Sequence, residues 1–453
     1  MPDGPKWPKR TGRDCPTVGS HRLPTVVPMT THLLPPRGAQ RTLALAQLSN
    51  SVGDGAYYVT SALYFTHVVG LSPARIGLGL TVAWAVGSVV GVPLGRLADR
   101  RGPRGTAVLL ALATAVAVAS FLVVRDFVPF LAAACLYASA QSGLAAARQA
   151  LLAGLVPPRE RTGALAHLQS TLNAGLAVGA GLGGVALSLG TDTAYLTVFA
   201  LDALSFLLCA YVLTRLPAVA PVPATGEGAK LEVLRDRPYA VVTLLNTVLL
   251  LRMPLLSLGI PLWITERTEA PEWLVSALFI LNTGAVMLFQ VRTARSVTGL
   301  ATAARAIRGS GLLMLLTCGV FALSAGVPAW TATLVLTAGS VLLVIAEMRQ
   351  SAGSWQLGFD LAPAGRIGEY QGFFGTGVTV ARTLGPLLLT LLLVEWGPAG
   401  WLLLGGLILA AAYALGPVSR WAARTRPDAA DEGAGSGPDG PDASGERAEQ
   451  LVQ

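Results

Sequence analysis

Four ionisable residues interrupt long apolar stretches of this sequence, namely Asp54, Asp202, Arg252 and Arg382. A charge without a partner in apolar surroundings is costly, so such residues usually pair with each other, line a polar cavity or take part in proton transfer. Apolar surroundings favour the protonated form of a carboxyl group, and an approaching cation favours the charged form. A carboxyl group that alternates between these environments can therefore take up and release a proton.

We predict that Asp54 and Asp202 are proton-coupling residues, with Asp54 the leading candidate. Both acids lie in the first half of the chain and both bases in the second, so the four side chains are expected to meet across the plane between the halves. A static ion pair that fixes the packing is the alternative for either acid. Arg252 and Arg382 are instead candidates for binding an anionic substrate. Further cavity candidates, which ordinary polar contacts between helices explain equally well, are Asn246, Asn282, Asn173 and Gln169.

Composition identifies the surroundings of these residues as a lipid bilayer. The chain has 453 residues, of which 53% are hydrophobic and 13% charged, whereas soluble domains have about 25% charged residues. The net charge of +8 comes with arginines clustered in short segments between apolar stretches, which is typical of membrane proteins and indicates no nucleic-acid partner. The four cysteines form no CxxC pair, so neither a metal site, a disulfide framework nor a cofactor is predicted.

Apolar segments long enough to cross the roughly 30 Å hydrocarbon core recur along the chain and predict an all-α membrane protein with twelve transmembrane helices. The predicted spans are 43–68, 76–95, 106–124, 127–152, 165–189, 194–213, 239–263, 273–289, 303–325, 329–347, 368–394 and 399–415.

The arginine content of successive loops supports this count, because rich and poor loops alternate along the chain. One side carries clusters such as Arg100 with Arg101, and Arg292 with Arg295, together with the basic N-terminal region. The other side has few cations. We therefore expect both termini in the cytoplasm and a multi-pass protein of the plasma membrane.

Composition also divides the chain. We expect a disordered basic leader at 1–41, a six-helix bundle at 42–214, a cytoplasmic linker at 215–237, a second six-helix bundle at 238–419 and a disordered tail at 420–453. The sequence leaves open whether translation starts at Met1 or Met29.

The loop after the second predicted span compresses five charges and a turn between two apolar segments. Its sequence is GRLADRRGPR, with Gly95, Asp99, Arg100, Gly102 and Arg104 as the gating residues that we single out. The loop resembles the G-x-L-A-D-R-x-G-x-R signature of the major facilitator superfamily. The resemblance covers roughly residues 40–420 and implies two pseudo-symmetric six-helix bundles.

Asp99 is expected to act as a latch. At the membrane boundary, its carboxylate could face the positive end of a helix dipole and hold one side of the protein shut. In the family this acid is associated with helix 11, whose start is expected near Arg366 and Gly368. The alternative is that the arginines of this loop only set the topology.

Two further features are similar to drug-exporting members of the family. The fifth span carries Gly175, Gly179, Gly183 and Gly184, which resemble the antiporter motif except that Ala180 replaces its proline. Close helix packing explains these glycines equally well. Arg148, near the inner end of the fourth span, resembles an arginine of exporters, although the arginine expected earlier in that helix is absent.

The segment around Trp355 and Asp360 is expected to be a loop between helices 10 and 11.

Together these features predict a monomeric secondary transporter that exchanges a small organic or drug-like molecule for protons by alternating access. The sequence has no P-loop, HExxH motif or nucleophile elbow, so no enzymatic activity is expected. The alternatives are an importer or facilitator of a polar nutrient, and a membrane receptor without transport.

Overall fold

The computed structural model describes residues 37–221 and 232–425, and within these ranges the chain is helical, without strands. The predicted leader up to residue 36, the linker residues 222–231 and the tail from residue 426 lie outside the described residues. The described part of the chain forms twelve spans, six before and six after residues 222–231.

The first six spans are α1 (Ala39–Leu63), α2 (Pro73–Arg101), α3 (Pro103–Phe121), α4 (Phe127–Leu155), α5 (Pro158–Leu189) and α6 (Asp192–Thr214). The second six are α7 (Arg237–Arg267), α8 (Trp273–Arg295), α9 (Leu300–Ala322), α10 (Ala329–Asp360), α11 (Ile367–Leu389) and α12 (Pro398–Arg424). A short helical turn, Glu232–Leu234, precedes α7.

Eleven spans of the described chain are long and apolar enough to cross a membrane by length and composition, and α1 is the exception. Polar residues lower the hydropathy of α1, and several of them, including Asn50, Ser51, Asp54 and Thr60, are buried inside the protein. Ser51 and Thr60 donate to backbone carbonyl oxygens of α1 itself, whereas Asn50 and Asp54 form hydrogen bonds with side chains of α4.

Helix α10 is longer than the sequence predicts. It continues for 32 residues to Asp360 instead of ending at residue 347. Glu347 thus lies inside the helix, and Trp355, expected in a loop, is also helical. The prediction was wrong because the charge of Glu347 was taken as the end of the helix. In the structure its carboxylate pairs with Arg252 of α7 at 3.0 Å.

Span α7 is interrupted near its middle. Its first helix ends at Leu250, a π-helical turn follows at Leu255–Gly259, and the helix resumes at Ile260. Pro254 lies at the interruption and has no backbone N–H to continue the helical hydrogen bonds. Arg252 therefore lies in the turn that interrupts the helix.

Each six-helix bundle has its own hydrophobic core. In the first bundle, aromatic rings of α1, α3, α4 and α6 pack together, for example Phe65 with Phe130 at a centroid distance of 4.7 Å. In the second, Trp263 and Trp401 meet edge to face at 5.7 Å. The two cores also meet, because Phe359 and Ile367 of the second bundle pack on the first core and Val92 and Ala166 of the first bundle pack on the second.

Hydrogen bonds join the two bundles at one end of the protein, the end that carries the turn 101–103 and the start of α11. We call it the basic end, because Arg100, Arg101, Arg295 and Arg424 also lie there.

Candidate functional site

Asp54 lies inside the first bundle, where its side chain is only 5% exposed. The Nδ2 of Asn50, one turn earlier, donates to its Oδ2 at 3.0 Å. From α4, the Tyr137 hydroxyl and the Nε2 of Gln141 both donate to its Oδ1 at 3.2 Å. Three neutral donors therefore hold the carboxylate, and no cation contacts it directly among the described residues.

Arg148 of α4 reaches Asp54 only through an amide. Its guanidinium donates to the Oδ1 of Asn50 at 3.0 Å and to the Oε1 of Gln47 at 2.6 Å. Asn50 donates in turn to Asp54, so it connects the two charges. This weak, indirect pairing leaves the carboxyl group of Asp54 able to exist with or without a proton at a smaller cost than a direct ion pair would impose.

Asp202 of α6 is completely buried beside α1. Ser205 donates to its Oδ1 at 3.3 Å, and its Oδ2 has no hydrogen-bond partner in the described part of the protein. The glycine at position 53 makes room for it, since an added Cβ there would collide with the Asp202 carboxylate. Asp54 belongs to α1 and follows Gly53 directly, and Asp202 packs against Gly53 from α6. The two acids thus lie at the same turn of α1.

The expected meeting of acids and bases across the central plane is not observed. The guanidinium Nη1 of Arg252 pairs with the Oε1 of Glu347, in the same bundle, at 3.0 Å. Arg252 also donates to the side chains of Gln350 at 2.7 Å and Ser351 at 3.0 Å. The partners of Asp54 and of Arg252 therefore lie in the same bundle as the charge that they contact.

Asn246 and Asn282, predicted as cavity residues, both belong to this second network. Asn282 of α8 donates to the Oε2 of Glu347 at 3.0 Å. Asn246 of α7 accepts a hydrogen bond from Ser354 of α10 at 2.6 Å. Polar side chains thus connect α7, α8 and α10 around the interruption of α7.

The acid and the base exchange places between the two networks. In the first bundle the acid, Asp54, lies on the first helix and the base, Arg148, on the fourth. In the second bundle the base, Arg252, lies on the first helix, α7, and the acid, Glu347, on the fourth, α10. The first pair is bridged by an amide and the second is direct.

The remaining predicted cavity residues are more exposed. Arg382 on α11 is exposed and has no ion pair with the described residues. It is close enough to the Tyr58 hydroxyl of α1 to interact with it electrostatically. On α5, Gln169 donates to Asn173 at 3.2 Å, and both side chains are half-buried.

The carboxylate of Asp99 caps the start of α11 from the other bundle. The backbone N–H groups of Gly368 and Glu369 donate to its two oxygens at 2.8 and 2.9 Å. Such N–H groups have no partner inside their own helix, and the helix dipole favours an anion there. The geometry of the expected latch is therefore present at the basic end.

Glycines on both helices allow this approach. A Cβ at Gly95 would collide with the carbonyl group of Gly368, and a Cβ at Gly372 would lie 2.9 Å from the carbonyl oxygen of Gly91. Each helix thus presents two glycines four residues apart, as in close-packed membrane helices. Gly95 and Gly368 were singled out from the sequence, whereas Gly91 and Gly372 were not, although their four-residue spacing from those two glycines was an available signal.

The rest of the gating loop shapes the turn between α2 and α3. Gly102 has a φ of 95°, which a residue with a side chain rarely adopts. Arg104 donates to the carbonyl oxygen of Leu216 at 2.9 Å, which ties the loop to the end of α6. Arg100 is exposed.

The segment after the undescribed linker residues also holds the start of α11. The carboxylate of Glu369 is buried and accepts a hydrogen bond from the backbone of Val233 at 3.1 Å. Arg366 forms an ion pair with Glu232, and the Tyr370 hydroxyl donates to Asp236 at 2.9 Å.

A second contact joins the bundles at the basic end. Thr162 of α5 donates a hydrogen bond to Gln356 of α10, and the Arg161 guanidinium lies 5.7 Å from the centre of the Phe359 ring. Gln356 in turn donates to Asp360 at 2.9 Å.

The glycines of the antiporter-like motif pack α5 against α1. Gly175 faces Ser51, whose Cβ would lie 2.5 Å from an added Cβ, while Gly179 and Gly183 approach the α1 backbone. Gly184 lies off this line and has open space beside it. The packing interpretation therefore accounts for three of the four glycines.

Most of the side chains that surround the buried charges were not predicted from the sequence. They are Gln47, Asn50, Tyr137, Gln141, Glu347, Gln350, Ser351 and Ser354. Their signal was weak, because amides and hydroxyls occur throughout membrane helices. Among the described residues, no group of three or more His, Cys, Asp or Glu side chains could hold a metal ion.

The architecture and the Asp99 contact define a transport protein of the membrane, and comparison with known families agrees. The chain belongs to the Major Facilitator Superfamily, which matches residues 43–386. It is a multi-pass membrane transporter that handles a small molecule, and not an enzyme. No curated protein matches the sequence.

Solved structures show the same fold at low identity. The human organic anion transporter MFSD10 (TETRAN) is 18% identical with a TM-score of 0.67, covering 84% of this chain and 100% of its own. A bacterial homologue of the iron transporter ferroportin in the outward-facing state is 14% identical with a TM-score of 0.68, covering 85% and 99%. FucP in the outward conformation, named elsewhere as the E. coli fucose:proton symporter, is 14% identical with a TM-score of 0.66, covering 84% and 98%.

Proposed function

We propose that this protein is a proton-coupled antiporter that exports a small organic molecule by alternating access. The observation that carries the proposal is the setting of Asp54. Its carboxyl group is buried at mid-span, held by Asn50, Tyr137 and Gln141, and connected to Arg148 only through an amide. A rearrangement that brings Arg148 closer or moves it away changes the preferred charge state of Asp54, which links proton binding to conformation.

The closed basic end supports the alternating part of the proposal. Asp99 binds the start of α11 through two backbone N–H groups, and these hydrogen bonds must break before that end can open. We further propose that the basic end faces the cytoplasm of a plasma-membrane monomer, because arginine-rich loops are retained on that side.

The test uses purified protein in proteoliposomes with an imposed pH gradient. Ethidium and carboxyfluorescein serve as cationic and anionic probes, and an internal pH dye reports proton movement. We expect gradient-driven flux of a probe accompanied by counter-movement of protons. In Asp54→Asn the gradient-driven flux should fall to that of protein-free liposomes, while probe exchange without a gradient persists, because only the proton carrier is lost.

Glu269→Gln is the matched control, since it removes an exposed carboxylate in the loop between α7 and α8. It should transport as the unmodified protein does. Full proton coupling in Asp54→Asn would refute the proposed role of Asp54, and protons moving in the same direction as the probe would refute antiport.

A further inference from the structure

Arg382, a charge in a membrane-spanning helix of the second bundle, is not neutralised by a neighbouring side chain. Arg382 is exposed on α11 and forms no ion pair within the described part of the chain. A guanidinium facing lipid at this depth would be strongly disfavoured, so an unpaired arginine here faces a wet cavity.

The register of α11 directs Arg382 towards the first bundle. Gly368 and Gly372 contact α2 of that bundle. Arg382 follows Gly368 by fourteen residues, which at about 100° and 1.5 Å per residue places it roughly 40° around the helix from Gly368 and about 21 Å further from the basic end. Gly377, about 180° around α11 from Gly368, packs on Thr247 of α7, and Gly385, about 60° from Arg382, packs on Pro254 of the same span. Arg382 is therefore directed towards the first bundle, across the space between the two bundles, which we call the cleft.

Tyr58 faces Arg382 from the first bundle. Its side chain is 50% exposed, and its hydroxyl interacts with both the Arg382 guanidinium and the Tyr137 hydroxyl. Tyr137 donates to Asp54 at 3.2 Å. A ligand held between Arg382 and Tyr58 would thus be two side chains away from the carboxyl group of Asp54.

The other charges near the cleft are screened. Asp54 and Asp202 are buried within the first bundle, and the half-exposed Glu347 is paired with Arg252 and hydrogen-bonded to Asn282. Arg148 is partly exposed and donates to Gln47 and Asn50, whereas Arg382 is an exposed positive charge with neither an ion pair nor a hydrogen bond to the described residues. Low-dielectric walls strengthen the attraction of such a charge for an anion.

We propose that the transported molecule is an organic anion, whose carboxylate, sulfonate or phosphate group binds the Arg382 guanidinium and accepts a hydrogen bond from Tyr58. This inference rests on the proposed transport function and adds the substrate class. A planar guanidinium suits such groups because it can donate two parallel hydrogen bonds.

Binding of two aromatic probes of similar size tests the inference. Benzenesulfonate and phenyltrimethylammonium are titrated against the full chain in detergent, and thermal unfolding reports binding. Benzenesulfonate should raise the midpoint of the unmodified protein, whereas phenyltrimethylammonium should not. Arg382→Gln should weaken sulfonate binding by about tenfold or more, as expected for loss of a charged hydrogen bond, and Arg382→Lys should restore part of it.

Arg349→Gln is the matched control, because it removes an exposed arginine of α10 that lies against Gly309 of α9. It should bind benzenesulfonate normally. Equal sulfonate binding in Arg382→Gln, binding of the cation instead, or no binding of benzenesulfonate, benzoate or phenyl phosphate to the unmodified protein would each overturn the inference.

Proteoliposome flux separates this inference from the proposed function. Anion transport that requires Arg382 but moves no protons would leave the inference standing and refute proton antiport. Proton-driven export of ethidium, unaffected by Arg382→Gln, would refute the substrate class and leave antiport standing.

Discussion

At the scale of single residues, the buried charges of this transporter differ in how tightly they are held. Arg252 has a direct partner in Glu347 and two further acceptors on α10. Asp54 has only neutral donors around it, and Asp202 has one hydrogen bond from Ser205. A fixed pair stabilises one helix arrangement, whereas a loosely held acid can change its charge state during transport.

Substitutions in the fixed pair should expose its structural role. In Glu347→Leu, the buried guanidinium of Arg252 loses its counter-charge, and we expect a loss of roughly 2–3 kcal/mol, somewhat below the 3–5 kcal/mol for fully buried pairs because Glu347 is partly exposed. Thermal unfolding in detergent measures this loss.

The double variant Arg252→Met with Glu347→Leu should recover most of the stability, because no unpaired charge remains. Glu269→Leu, in an exposed loop, controls for the loss of a carboxylate. A double variant less stable than Glu347→Leu would show that Arg252 stabilises the bundle without its acidic partner.

At the scale of helices, glycines determine which helices approach closely. Gly175, Gly179 and Gly183 bring α5 onto α1 inside the first bundle. Gly95 and Gly368 bring α2 onto α11 between the bundles. Under the proposed alternating access, the second contact must break when the basic end opens, whereas the first lies within one bundle.

Gly95→Ala should weaken closure of the basic end, because its methyl group meets the Gly368 carbonyl. Spin labels on α2 and α11 near that end should report longer distances and a smaller closed population than in the unmodified protein. Gly77→Ala, in the same helix with open space beside it, should leave the distances unchanged. Equal distances in both variants would mean that the helices tolerate the methyl group by a local shift.

At the scale of the whole molecule, the basic end is held by several independent contacts. Asp99 caps α11, Thr162 bonds to Gln356, and Glu369 holds the Val233 backbone. Opening this end requires the first two contacts to separate together, since both join one bundle to the other. The Glu369 contact lies within the second bundle and can move with α11.

A covalent link across the second contact should stop transport. In a background in which every cysteine of the chain is replaced by serine, Thr162→Cys and Gln356→Cys are joined by a short bifunctional thiol reagent. Transport should fall to the level of protein-free liposomes and return when a reductant cleaves the link. Thr162→Cys alone, treated identically, should remain active. Continued transport by the linked protein would show that the basic end need not open.

The sequence by itself determined the membrane class and the twelve spans, because these follow from local hydropathy, and a contiguous motif singled out Asp99. It did not determine the partners of the buried charges. Asp54 was expected opposite the bases of the second bundle, and Glu347 was taken as a helix end. Only the tertiary structure decided that Arg252 pairs with Glu347 and that Asn50 connects Asp54 to Arg148. The physical reason is that hydropathy averaged along a helix carries no information about its rotation, which is set by packing between helices distant in sequence.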